Sequence, residues 1–180
     1  MEDKEMRIVI DGKTVVLDGC QVETKECGEK MLTELYRRYV GDYPKFFKMD
    51  TLSKLGFIAS ELLLQREASL QGVERFVPSE ERGVIMGNRS ASIVNDREYE
   101  KTIQKGDYYP SPALFVYTLP NIVTGEIAIR NRFYGESGFY VVEDKETLME
   151  IMRSSGMKAG IVGWVECRGR DDFEADVELI

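Results

Sequence analysis

The sequence predicts an α/β protein with a mixed, mostly parallel central sheet of five strands and helices on both faces. Three observations predict it. Strand-like and helix-like segments alternate along the chain. The inner strand candidates "RGVIMG" and "GIVGWV" are apolar on both sides, as strands covered by helices on two faces must be. The helix candidates repeat apolar residues at three- and four-residue spacing. No repeat, low-complexity segment or linker interrupts the pattern, so residues 1–180 read as one domain, long enough for a sizeable core.

From the amino end, "RIVIDGKTVVLDG" alternates β-branched residues around Asp11-Gly12, the signal of a two-residue hairpin turn. A helix follows from Gly28, with Met31, Leu32, Leu35, Tyr36 and Tyr39 on one stripe, and Gly41 and Pro44 break it. "DTLSKLGFIASELLLQRE" is the clearest helix. Asp50 or Thr51 can cap its free N–H groups, and Leu52, Leu55, Ala59, Leu62 and Leu63 repeat at helical spacing. "RGVIMG" reads as a buried strand, with a helix after it near residues 92–103.

"GDYYPSPALFVY" reads as a loop shaped by Pro110 and Pro112. Pro120 suits the first position of a helix, where its missing N–H costs nothing. That helix carries Ile122, Val123, Ile127, Ala128 and Ile129 and is expected to stop near Gly135. "SGFYVV" is a strand, "KETLMEIMRSSG" a helix closed by Gly156, and "KAGIVGWVE" a second buried strand. The tail "FEADVEL" alternates apolar and acidic residues, as a half-exposed edge strand or hairpin partner does.

Composition narrows the function. With 43% hydrophobic and 31% charged residues, the chain belongs to the folded, soluble class rather than the disordered one. A net charge of -8 repels phosphate backbones and anionic lipid, which disfavours nucleic acid and membrane surfaces as partners. The densest basic group, Arg37, Arg38, Lys45 and Lys48, reads most simply as a solvated helix face. The start "MEDKEM" has no apolar h-region, and no apolar run approaches the ~20 residues of a membrane helix, so a cytoplasmic protein is expected. Cys20, Cys27 and Cys167 are odd in number, lack C-x-x-C spacing and read as reduced thiols. With no histidine in the chain, a mixed-ligand zinc site is disfavoured, and no metal or cofactor is expected.

Candidate chemistry is sparse. "GVIMGNRSAS" runs from a strand through Gly87 into a helix, a place where anions can bind, but it lacks G-x-G-x-x-G and a Walker lysine. "GESGF" approaches G-x-S-x-G with its second glycine one place early, and Ser137 has no histidine to take its proton. Glu136, Glu143 and Asp144 surround one strand, and paired carboxylates can divide acid and base work. At a helix start the dipole favours negative charge, so capping explains Glu143 and Asp144 without chemistry. Trp164 and the tyrosines read as core or interface.

Four stretches in this order resemble the N-terminal half of the β-ketoacyl-[acyl-carrier-protein] synthases, condensing enzymes of the thiolase-like fold. "KMDTLSKLGFIASELLL" is similar to a helix of that family, and "RGVIMGNRSAS" to the strand and polar loop after it. "PNIVTGEIAIRNRFYGES" resembles N-x-x-x-G-x-I-A-I-R-x-x-x-x-G-x-S, through Asn121, Gly125, Ile127, Ala128, Ile129, Arg130, Gly135 and Ser137. "GMKAGIVGWVE" is similar to the buried strand that ends in G-G-x-E, with Gly163, Trp164 and Glu166 at those places. The likeness covers residues 48–166 and implies a thiolase-like half-fold.

In that family a nucleophilic cysteine follows the strand after G-x-S. Counting forward from Gly135 places it near Asp144, and counting back from Glu166 places it near Gly138, yet neither register holds a cysteine. The resemblance implies that the family's remaining catalytic residues would come from a C-terminal half, which the matching stretches do not reach. The resemblance therefore implies a ketosynthase-like protein, doubtful as an enzyme, that lacks the chemistry of a 3-oxoacyl synthase. Such a protein would pair with itself or with a full-length ketosynthase in fatty-acid or polyketide-type synthesis.

The family also joins its subunits through the strand before the cysteine, which here makes Ser137, Gly138, Phe139, Tyr140, Val141 and Val142 the expected dimer interface. An acidic acyl carrier protein needs a local basic patch to dock, for which Arg130 and Arg132, or the group from Arg37 to Lys48, are the candidates. Two other classes stay open: an acyltransferase or hydrolase using Ser137 or the carboxylates, and an acyl-chain or small-molecule binding module.

Overall fold

The computed structural model describes residues 6–106 and 109–180. The opening residues 1–5, and the middle of the loop expected before Pro110, lie outside the described residues. The strands are β1 (Met6–Asp11), β2 (Val15–Leu17), β3 (Cys20–Gln21), β4 (Arg82–Asn88), β5 (Ser137–Val141), β6 (Ala159–Cys167) and β7 (Phe173–Leu179). The α-helices are α1 (Gly28–Leu35), α2 (Thr51–Gln71), α3 (Ile93–Glu100), α4 (Pro112–Val116), α5 (Ile122–Asn131) and α6 (Lys145–Ser155).

All of these strands join one sheet in the order β3-β2-β1-β7-β6-β4-β5. Only β4–β5 and β4–β6 pair in parallel, while β6–β7, β7–β1, β1–β2 and β2–β3 are antiparallel. The expected five-stranded, mostly parallel sheet is thus corrected to seven strands of mixed sense. Two features cause the difference. The amino-terminal hairpin extends the same sheet, and β7 is an inner strand, the hairpin partner of β6 with β1 on its other side. Its alternating acids do not mark an edge, because Asp176 and Glu178 meet Arg7 and Lys145 across the sheet surface.

Helices cover both faces. α2 packs over β1, β6 and β7, and α5 over β4 and β5. Against them the sheet turns Ile8, Ile10, Val84, Met86, Ile161, Val165, Ala175 and Val177, all buried. α6 lies on the opposite face, where Leu148 and Met152 close over Ile85 and Val162.

α2 is capped by Asp50, whose carboxylate accepts the Ser53 amide at 3.0 Å, and it is buried on every side from Thr51 to Leu64. A helix enclosed all round has no polar face to offer solvent. Each of its leucines moved from water to full burial contributes roughly 1.5–3 kcal/mol. α1 buries Met31, Leu32 and Leu35, and the chain continues through a π turn, Tyr36–Val40, closed at Gly41.

Three local expectations also change. Ile10 pairs with Val15, so the first hairpin has a four-residue connection; the Asp11 carboxylate accepts the amides of Lys13 and Thr14, both at 2.7 Å, and stabilises this wider turn. The Pro-rich segment contains α4, with Pro112 in its first turn and Ser111 as its cap. α5 begins after Asn121 rather than at Pro120, and it stops at Arg132, a non-glycine residue with φ of 56°, before Gly135 is reached.

Candidate functional site

β4, β5 and β6 share one direction and end at the same sheet margin, where α/β proteins place their ligands. The turn from β5 to α6 lies at this margin and consists of Val142, Glu143 and Asp144. Gly138 lies inside β5, upstream of this turn. None of the three turn residues is a thiol or hydroxyl nucleophile.

Asp144 is committed to folding. Its carboxylate accepts the Thr147 amide at 2.8 Å and the Thr147 hydroxyl at 2.7 Å, and these bonds hold its pKa below the ordinary value. The exposed Glu143 offers its carbonyl to Arg89 Nε, and the Arg89 guanidinium sits 5.8 Å from the centre of the Trp164 ring.

Behind the turn, the buried Glu166 carboxylate accepts the Arg89 amide at 2.9 Å and the Ser90 hydroxyl. Asn88, fully buried at the end of β4, closes the same loop from below: its side chain accepts the Ala91 amide and donates to the Ala91 carbonyl. The network stiffens the margin and presents no activated group. The resemblance singled out Glu166, but nothing in the sequence announces its pairing with Arg89 and Ser90, which lie far away along the chain.

The other sequence candidates are dispersed. Ser137 is exposed at the far end of β5, a strand's length from the elbow. Phe139 packs on the main core, while Tyr140 and Val142 pack under α6; Gly138 is half-buried and Val141 is exposed. Among the described residues, β5 pairs with β4 alone, so its other side is open.

Arg130 is half-buried against the rings of Tyr43 and Phe76 and bonded to Asp42, with its Nε 3.8 Å from the Glu61 carboxylate. Glu61, almost fully buried, also receives Arg75 and Asn131, each at 3.0 Å. Arg132 is exposed. Within the basic group, Arg38 donates to the Glu23 carbonyl and Lys45 pairs with Glu126.

A cavity of about 660 Å³ opens beside the amino end of α2, among Met49, Asp50, Lys54, Asn95, Tyr117 and Cys167. Burial pushes the Asp50 carboxyl up and the Cys167 thiol up to about 12. Cys167 donates its thiol to the Gly169 carbonyl at 3.4 Å, and its burial disfavours the thiolate that attack on an acyl group requires. Cys20 and Cys27 are exposed, on β3 and at the cap of α1, outside the elbow. Among the described residues, no group of three or more His, Cys, Asp or Glu side chains could hold a metal ion. Among the same residues, no helix is long and apolar enough to cross a membrane.

No family model matches the sequence, and no curated protein matches it. Solved structures do match in fold. The complex of the ketosynthase ApeO with its chain length factor ApeC, from Xenorhabdus doucetiae, aligns with a TM-score of 0.56 at 10% identity, over 97% of this chain and 76% of the matched one. The ishigamide ketosynthase/chain length factor aligns with a TM-score of 0.53 at 13% identity, over 97% of this chain and 59% of the other. This chain thus spans three quarters of one neighbour and under two thirds of the second. At such identities the likeness is one of fold: a mixed α/β architecture consistent with the thiolase-like class.

Proposed function

We propose that this protein is a non-catalytic, ketosynthase-like subunit that pairs with a ketosynthase in fatty-acid or polyketide-type acyl-chain synthesis. One observation carries the reading. The strand-to-helix turn that the family resemblance reads as the elbow of a condensing enzyme holds Val142, Glu143 and Asp144, and the Asp144 carboxylate is used for capping. The absence of histidine removes the usual base for a serine or cysteine nucleophile. Both solved neighbours are ketosynthase and chain-length-factor assemblies, which supports a paired role in the same kind of pathway.

In this reading β5 is the edge that meets the partner, through Ser137–Val141 and the adjoining Val142. Docking of an acidic carrier protein falls to the exposed Arg132, with Arg130 behind it held by Asp42 and Glu61. The protein works in the cytoplasm, beside the carrier-bound intermediates.

The experiment is intact-mass analysis after incubation with acyl-CoA and with acylated carrier protein. No acyl adduct is expected on the chain. A stoichiometric thioester on Cys20, Cys27 or Cys167 would overturn the proposal. The cavity beside Asp50 and Cys167 favours one second reading, a module that binds an acyl chain or another small molecule. Native mass spectrometry of the purified protein decides it, since a retained lipid would support the module and an unliganded mass would exclude it.

A further inference from the structure

The cavity beside Asp50 lies on the opposite face of the sheet from the elbow. Cys167, one of its lining residues, belongs to the core under α2, whereas Val142 packs under α6. The sheet itself therefore separates the cavity from the strand-to-helix turn. Segments that follow β4 and β6 both reach it, through Val94 and Asn95 and through Gly169 and Arg170. That is where an open α/β sheet holds a ligand, and about 660 Å³ suits a small organic molecule.

One wall is apolar. Met49, Leu52 and Val94 line it together with Leu114 and Tyr117. The last two belong to α4 and its C-cap, and α4 is apolar throughout although none of its residues is buried. It packs chiefly against α3. There the Asn95 amide donates to the Leu114 carbonyl at 2.8 Å, and the Ser92 hydroxyl to the Thr118 carbonyl at 2.7 Å. Phe115 meets the Tyr99 ring, with centroids 5.5 Å apart, while Leu114 and Tyr117 face the cavity. An apolar body held there would take their surface out of water.

The solvent side is basic. Lys48 and Arg170 are exposed, and Lys54 is buried. Glu29 takes both Lys54 and Arg170, the latter at 3.4 Å, and Glu98 is bonded to Lys101. Asp171 turns to the Glu29 amide, at 3.3 Å, and does not line the cavity. Four cations, Lys48, Lys54, Lys101 and Arg170, thus stand against three acids, Glu29, Asp50 and Glu98, on a chain of net charge -8. Burial pushes Asp50, Tyr117 and Cys167 up, which trims the negative charge further. We infer that the cavity binds an amphipathic organic anion, its apolar body along Leu114 and Tyr117 and its charged head at Lys48 and Arg170. The inference deepens the second reading of this cavity by naming a ligand class, and it needs neither the lack of catalysis nor kinship with ketosynthases. Because Lys48 and Arg170 are exposed, affinity falls as salt is added.

Two fluorescent probes test it, anilinonaphthalenesulfonate and N-phenylnaphthylamine, which share one apolar frame while only the first carries a sulfonate. Both brighten in apolar surroundings, so titration of the purified full chain gives a dissociation constant for each. Lys48→Glu combined with Arg170→Glu is expected to weaken the sulfonate about tenfold and to leave the uncharged probe within about twofold. Arg153→Glu combined with Lys158→Glu makes the same change of charge at exposed positions that do not line the cavity, and is expected to move neither probe. Leu114→Asp should weaken both. Circular dichroism checks that each variant is folded, and the two surface double variants decide the test should Leu114→Asp not fold. No saturable binding of the sulfonate, equal losses in the two double variants, or equal losses of the two probes overturns the inference. A lipid retained in native mass spectrometry would leave the second reading standing in each of those cases, so the two fail separately.

Discussion

The carboxylate of Asp144 takes both the amide and the hydroxyl of Thr147, at 2.8 and 2.7 Å, and so closes the first turn of α6. The residue at the head of this helix therefore serves the fold. Replacing it should affect folding and no reaction. Asp144→Ala is expected to lower the melting temperature by a few degrees, while Asp144→Asn, which can still cap, retains most of the wild-type value. Thermal denaturation followed by circular dichroism separates the two. Equal losses would mean that the charge at the helix start matters more than the hydrogen bonds.

Glu166 is the brace of the same margin. It is buried and accepts two donors from the loop after β4, so Glu166→Ala leaves the Arg89 amide and the Ser90 hydroxyl without their acceptor. Arg89 is exposed and Ser90 half-buried, so water can partly replace the lost acceptor and the cost is that of ordinary hydrogen bonds, about 0.5–1.5 kcal/mol. The expected result is a destabilisation of that size in urea titration, with faster hydrogen exchange at residues 89–91. Unchanged exchange there would show that Asn88 alone holds the loop.

The parts of this architecture set by local periodicity were legible in the sequence, and the parts set by distant pairing were not. The apolar stripes of α1 and α2, the doubly apolar β4 and β6, and the capped start of α6 all announce themselves within a few residues. β7 does not. Its acids alternate as on a solvent-facing edge, and only the meeting with Arg7, from the other end of the chain, and with Lys145 explains how it sits inside the sheet. The end of α5 was misplaced for a related reason: Arg132 adopts the left-handed conformation usually left to glycine, so the stop carries no glycine signal. Arg130 reads as a surface charge until Glu61, on another helix, is brought beside it.

The Asp176 cluster gives a pH signature. Burial alone would push this carboxyl up, but Arg7 at 2.6 Å and Lys145 at 2.7 Å outweigh it, and the net pKa lies below the ordinary value. A carboxyl depressed in the folded state adds stability above its unfolded pKa of about 4, and that contribution disappears as the pH falls through the folded value. Asp176→Asn should therefore melt earlier than wild type at pH 7, with the gap closing below about pH 4. A gap that is constant with pH would assign the effect to packing.

The crossing of α2 and α5 should be intolerant of added volume. A Cβ on Gly56 would stand 2.5 Å from Val123 Cγ1 and 3.3 Å from the Met86 sulfur. Alanine normally favours a helix over glycine, but here overpacking wins, and Gly56→Ala is expected to destabilise by about 1–3 kcal/mol. Chemical denaturation measures it. A stabilised variant would mean that α5 can move away from α2 at little cost, and the ion pairs around Glu61 would then have to tolerate the shift.

Thiol labelling tests the chemical claim at its base. Cys167 is buried, with its pKa pushed up to about 12 chiefly by burial, while Cys20 and Cys27 are exposed. Because the thiolate is the reactive species, Cys167 should resist iodoacetamide at pH 8 in the folded protein and react once the chain is unfolded in guanidinium. Peptide mapping should find the label on Cys20 and Cys27 alone under native conditions. Rapid native labelling of Cys167 would mean that its surroundings open to solvent and stabilise a thiolate. The cavity beside Asp50 would then hold a reactive sulfur, and the assignment of this chain as non-catalytic would lose its chemical footing.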